Sequence, residues 1–120
     1  MTEKKELGNR GEEIAKEYLL KNNYSFITQN YKSSYQELDL IFRKENKYIF
    51  VEVKTRTESD EEKDEAPLTK WQTKNIQRAL IEYCLKNYIN LDNSRLDLIT
   101  ILIESHTKLS KLTHYKNILS

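Results

Sequence analysis

Cysteine, proline and glycine are nearly missing from this chain, with one Cys, one Pro and two Gly among 120 residues. A lone Cys84 excludes an internal disulfide framework and a cysteine-based zinc site, and the two histidines near the C-terminus have no cysteine company. So little Gly and Pro excludes collagen-like, linker-rich and disordered character, and also a glycine-dependent cofactor fold. No apolar run approaches the roughly 18 residues that a membrane span needs. The opening MTEKKELGNRGEE carries charges where a secretory signal has its hydrophobic region, so the expectation is a cytoplasmic protein with no membrane partner.

Net charge is also scarce, at +1, but it is unevenly spread. Between Glu58 and Glu65 six acids face one lysine, a local −5, which leaves +6 on the other 112 residues. A mildly basic body with one acidic segment is able to attract a polyanion, although charge alone is a weak argument for nucleic acid. At 14.4 kDa the chain has the size of one domain, residues 1–120, and splitting it would leave each half short of buried surface. Its 38% hydrophobic content is modest, and eight Tyr, three Phe and one Trp supply large apolar faces that offset it.

Leu7, Ile14, Ala15, Tyr18 and Leu19 recur at helical spacing and predict an amphipathic helix from about Glu3 to Lys21. Gly8, Glu12, Ala15 and Leu19 form an adjacent stripe whose small members suit close approach to a sheet, carrying Glu12 to its edge. Tyr24 to Thr28 reads as a short strand. In QELDLIFRKENKYIFVEVKTR, Leu38, Leu40 and Phe42 alternate with Glu37, Asp39 and Ile41, and Ile49, Val51 and Val53 alternate with Tyr48, Phe50, Glu52 and Lys54, so two strands joined at Lys44 to Lys47 are expected. Pairing Arg43 with Tyr48 places Ile41 opposite Phe50, Asp39 opposite Glu52 and Glu37 opposite Lys54, with all six side chains on one face.

The segment 57–67 loses periodicity and reads as an exposed acidic loop. A second helix follows from about Thr69 to Asn87, opened by a Thr69–Gln72 capping box. Ile76, Ala79, Leu80, Tyr83, Cys84 and Tyr88 are its expected buried face, Trp71 an anchor at its start, and Lys70, Lys74 and Arg78 an exposed basic ridge. Cys84 reads as a buried thiol among Ile81, Leu85 and Tyr88. Arg95 to Ile103 has the continuous apolar content of an interior strand, with Asp97 as an internal carboxylate, and 104–120 supplies an edge strand from Lys111 to Asn117 and a tail. Helix, three strands, helix and one or two strands together predict an α/β domain with a mixed sheet flanked by helices.

A carboxylate in an apolar strand needs compensation for its lost hydration. Asp39 and Glu52 facing each other repel, and the single Lys54 must serve both as well as Glu37. One resolution is a structural cross-strand network that holds register. Another is a divalent cation: two carboxylates and the backbone carbonyl of Val53 suit Mg2+, leaving water and phosphate oxygens to complete an octahedron.

LGNRGEEIAKEYL, QELDLI, FVEVKTR, Lys70 to Ala79 and RLDLI together resemble the YraN-like family over roughly residues 7 to 103. That resemblance implies a restriction-endonuclease-like, Holliday-junction-resolvase-like fold: a three-layer core with a mixed central β-sheet. It further implies that Asp39 and Glu52 bind Mg2+ or Mn2+, that Lys54 assists attack by water, and that Glu12, after Gly11, and Glu37 complete the acidic set. Gln36 stands where the family commonly has glycine. Arg56, Lys70, Lys74 and Arg78 would then meet nucleic acid, DNA above all, through phosphates, and hydrolysis would leave a 5′ phosphate. Three functions stay open at this point: a metal-dependent nuclease for branched or structured DNA, a noncatalytic nucleic-acid-binding module, and a protein-interaction domain whose acidic loop meets a basic partner. A four-way junction's symmetry would favour a homodimer. His106 and His114 are expected in surface or hydrogen-bonding roles.

Overall fold

The structure, a computed structural model, describes residues 2–58, 68–104, 106–107 and 109–119. Thr2 caps the first helix, α1 (Glu3–Lys21), by accepting the Lys5 N–H through its side chain, and acids occupy the first turn where the helix dipole favours them. Asn22 closes it, and Asn23 turns the chain through a left-handed conformation, φ 66°.

Strands β1 (Ser25–Lys32), β2 (Glu37–Lys44) and β3 (Lys47–Thr57) then form an antiparallel meander. The first strand is longer than its sequence suggests, continuing through the polar Gln29, Asn30 and Lys32 because it pairs with β2 along its length. A second helix, α2 (Lys70–Lys86), carries the chain back so that β4 (Ser94–Ile103) pairs parallel to β3, after a single 3-10 turn at Leu91–Asn93. The last strand, β5 (Ser110–Tyr115), pairs antiparallel to β4 at the edge. The sheet order is β1-β2-β3-β4-β5.

Each helix covers one face of the sheet. Ala15 and Leu19 of α1 pack with Leu40, Phe42, Ile49, Val51, Ile99 and Ile101. On the other face, Ile76, Ala79, Leu80, Tyr83 and Cys84 of α2 pack on Leu38, Ile41, Phe50 and Leu96. The result is a mixed α/β sandwich of three layers, consistent with a restriction-endonuclease-like core. The Thr69–Gln72 capping box forms with both reciprocal bonds. No helix among the described residues is long and apolar enough to cross a membrane.

Several expectations need correction. The β2–β3 pairing extends to Lys44–Lys47, so the turn is the two residues Glu45 and Asn46, not four. Tyr88 is 98% exposed, because it follows the end of α2 with φ 56° and leaves the helical stripe. Trp71 is not packed into the core as an anchor: it is 72% exposed at the start of α2. Cys84 is buried as expected, but among Ile76, Ala79 and Leu80, with Leu85 pointing to solvent. The acidic loop of 57–67 lies outside the described residues from 59 onward; Thr57 ends β3 and Glu58 is exposed.

Candidate functional site

The β2–β3 ladder runs from Lys44–Lys47 to Leu40–Val51 in the expected register, and there it ends. Past that point side chains replace backbone partners. The Val53 N–H donates to Asp39 Oδ2 at 2.9 Å, and the Asp39 N–H donates to Glu52 Oε1 at a long 3.4 Å. Asp39 and Glu52 are thus brought together at a fork between the strands.

The side-chain alternation breaks at the same place. Residues two apart on a regular strand share a face, yet Leu38 packs with Ile41 and Phe50 on the α2 side while Leu40 and Phe42 pack on the α1 side. The expected continuous stripe of Leu38, Leu40 and Phe42 is therefore corrected: β2 changes phase across Asp39. Released from the ladder, Asp39 lines an open cleft of about 720 Å³ together with Glu12, Glu37, Glu52, Val53 and Lys54.

α1 reaches this cleft because of Gly11. A Cβ built there would overlap Thr55 Oγ1 on β3, whereas Gly8 has open space around it, so Gly11 and not Gly8 permits the close approach. The next residue, Glu12, is held by Asn30. With its amide nitrogen turned toward the two carboxylates, Asn30 donates to Glu12 Oε1 at 2.8 Å and to Glu37 Oε1 at 3.1 Å. Asn30 lies in β1 with φ 51°, a conformation Asn tolerates better than most residues. Sequence reading missed it, since one asparagine in a polar strand carries no pattern.

Burial and like charge dominate the electrostatics. Glu52 is only 5% exposed, and its desolvation, followed by the charge of Asp39, pushes its carboxyl well above the usual range. Asp39 is also raised by burial, partly offset by the Val53 N–H and by the charge of Lys54. Glu12 is raised from 4.5 to about 7, by desolvation first and then by Asp39 and Glu37.

Hard cations such as Mg2+ take oxygen ligands in an octahedron and keep several waters. The carboxylates of Asp39 and Glu52 are two such ligands. The Val53 carbonyl is a third, because strand geometry sends it to the same side as the Val53 N–H that meets Asp39. The donor set fits Mg2+ or Mn2+ as a two-carboxylate site. Among the described residues no group of three or more His, Cys, Asp or Glu is arranged to hold an ion. Glu12 and Glu37, joined through Asn30, flank the fork as an acidic wall.

The proposed phosphate contacts are not gathered in this cleft. Arg56 lines a separate hollow with Thr100 and Lys111, and Lys70, Lys74 and Arg78 lie exposed on α2, with Arg78 5.9 Å from the Tyr35 ring. Asp97 is a structural carboxylate, fully buried and opposite Val51. It accepts two bonds from Arg95 at 2.8 Å each, one from the Asn117 N–H at 2.9 Å, and meets His114 Nε2 at 2.7 Å. Burial raises its pKa, but the bonds from His114, Arg95 and Asn117 outweigh burial and leave it lowered. His114 Nδ1 in turn lies 2.9 Å from the Tyr18 hydroxyl, which ties β5 to α1.

The family model described as "Uncharacterised protein family UPF0102" matches residues 11–101, a span that runs from Gly11 through the fork and α2 into β4. The chain belongs to UPF0102. A "UPF0102 protein" of Syntrophomonas wolfei is 34% identical over 113 residues, covering 94% of this chain and 96% of that one. Relatives from two Flavobacterium species give the same picture: 32% identity over 98% of this chain and 96% of the F. psychrophilum protein, and 36% over 84% and 85% for F. johnsoniae. The UPF0102 match thus takes in every part of the fork, and it agrees with the resemblance drawn from the motifs.

Proposed function

We propose that this UPF0102 member is a divalent-metal-dependent nuclease that hydrolyses phosphodiester bonds in branched or structured DNA, with Mg2+ or Mn2+ as cofactor. The observation that supports this reading is the fork, where a strand ladder is broken to bring the buried Glu52 and the half-buried Asp39 together beside a lysine. As a purely structural feature the arrangement is costly, because two desolvated like charges repel and the Asp39 and Val53 N–H groups meet carboxylates in place of ladder partners. A bound cation would relieve that repulsion.

When bound, the cation supplies Lewis-acid activation of the phosphodiester and charge neutralisation at its oxygens. Asp39 and Glu52, with the Val53 carbonyl, would hold it. Lys54, in the wall of the same cleft, orients the attacking water and stabilises negative charge developing on the phosphoryl oxygens. Glu12 and Glu37, joined through Asn30 in the same cleft, repel phosphate, so a strand enters past Lys54. Among the described residues no helix or hairpin at the cleft is placed as a base-reading element, which favours recognition of DNA shape over sequence.

The test is cleavage of single-stranded, duplex, flap and four-way DNA in Mg2+ and in Mn2+, followed by Lys54→Met on the preferred substrate. K54M keeps the apolar stem and removes the charge. Single-turnover cleavage is expected to fall by about 100-fold or more, about 2.7 kcal/mol of transition-state stabilisation, with a much smaller loss in equilibrium binding. A folded K54M protein that cleaves at the wild-type rate would refute the role of Lys54. Absence of cleavage by the wild type across the panel would favour a noncatalytic nucleic-acid-binding module.

A further inference from the structure

The α2 packing cluster stops at the cross-strand row of Phe50 and Leu96. Side chains of aligned neighbours in a sheet share a face, so the rows beyond it continue the α2 side of the sheet past that cluster. One row is Lys54, Thr100 and Thr113, and the next is Arg56, Leu102 and Lys111. Tyr115, 47% exposed, stands on the same face one row before Lys54. A hollow of about 160 Å³ is lined there by Arg56, Thr100, Lys111, Thr113 and Tyr115.

Resting on the nuclease reading above, we propose that this face of β3, β4 and β5 is the platform that seats the sugar–phosphate backbone of the DNA strand leaving the fork. Charge complementarity carries the assignment. Arg56 and Lys111 end the outer row, and neither forms an ion pair among the described residues. The hydroxyls of Thr100 and Thr113 share the row of Lys54, suited to donate to phosphate oxygens, and Tyr115 offers a ring to a sugar or base. No carboxylate occupies either of the two cationic rows. Lys54 belongs to both features: it borders the fork cleft and begins the first platform row. Rows on one face are spaced by about 7 Å, twice the rise per residue, and the three strands span about 10 Å, the width of one backbone and not of a duplex. The basic ridge of α2 lies outside this patch.

The experiment titrates a fluorescein-labelled four-way DNA junction in EDTA, where metal-dependent cleavage is blocked, and follows anisotropy against KCl concentration. Arg56→Gln with Lys111→Gln should lower affinity at least tenfold and reduce the slope of log affinity against log salt by about 1.4 to 1.8, as expected for two lost phosphate contacts. Thr100→Val with Thr113→Val, which keeps shape and both cations, should weaken binding with the slope unchanged. Melting temperature and calorimetric Mn2+ binding at the fork should match wild type in both variants. A wild-type slope in R56Q/K111Q would overturn the platform, as would failure of the wild type to bind the junction, or competition by polyglutamate peptide as strong as by unlabelled DNA. The two readings separate cleanly: a reduced slope in a protein that cleaves nothing supports the platform and sinks only the hydrolase, while robust cleavage with an unchanged slope does the reverse.

Discussion

Glu52, 5% exposed and beside Asp39, has a stability consequence that does not depend on activity. Asp39, Glu52 and Glu12 all bind protons more tightly in the folded state, by burial first; the charge of Asp39 adds to this for Glu52 and Glu12, whereas the Val53 N–H, the Glu52 bond and Lys54 partly offset it for Asp39. A carboxyl raised in this way favours folding below its unfolded pKa, and that contribution is lost as pH rises through the folded value, for Glu12 between 4.5 and about 7. Asp97 acts in the opposite sense: its stabilisation is present above its ordinary value of 3.8 and is lost as pH falls. In EDTA the melting temperature should therefore decline between pH 5 and pH 8, and Glu52→Gln should flatten that decline and raise the melting temperature at pH 7.5. Parallel declines for wild type and E52Q would mean that the pair is not strained. At this scale Asp39, Glu52 and Lys54 stand out in the sequence, since charges embedded in apolar strands demand a reason, Glu12 and Glu37 entered through the family resemblance, and one cleft gathers all five. Asn30 does not stand out, because its part comes from a left-handed backbone and from the approach of α1, neither of which has a local signature.

The elements were read with different success for physical reasons. α1 and α2 announced themselves through apolar spacing and caps, and the β2–β3 register followed from two apolar stripes that a one-residue slip would mismatch. The end of that ladder at Leu40–Val51 was hidden, because a strand that changes phase keeps the composition of one that does not. The docking of α1 was half legible: a small residue was expected, but Gly11 and not Gly8 faces Thr55. Ala in place of a mid-helix Gly normally stabilises by up to about 1 kcal/mol. Here Thr55 is β-branched and stiff at χ1, and its Cβ and Cγ2 would also lie 2.9 and 3.1 Å from the new methyl, so the side chain has no free direction in which to yield. Gly11→Ala should destabilise by about 1 to 3 kcal/mol in urea denaturation, and by shifting α1 it should weaken metal binding at the fork as well. A G11A protein as stable as wild type would show that α1 does not press on β3 at this point.

At the scale of the whole molecule, the sheet has two unlike halves. Its inner half is sealed by a helix on each face, and β5 is tied to α1 through Asp97, His114 and Tyr18, which fixes the helix that carries Glu12. Its outer half opens at the fork, where the acidic pair lines a cleft and the half-buried rows of Lys54 and Arg56 border a second hollow with Lys111. The mixed α/β architecture followed from the succession of elements, whereas the strand order and the division of the sheet into a sealed and an open half emerge only in the fold, since Trp71 and Tyr88 look like core in the sequence and lie on the surface. The central claim is that Asp39 and Glu52 together hold a divalent cation. Isothermal titration of wild type, Asp39→Ala and Glu52→Ala with Mn2+ tests it most directly: the account predicts one Mn2+ site in the wild type and its loss in each folded variant, and a wild-type binding isotherm in either D39A or E52A would contradict it.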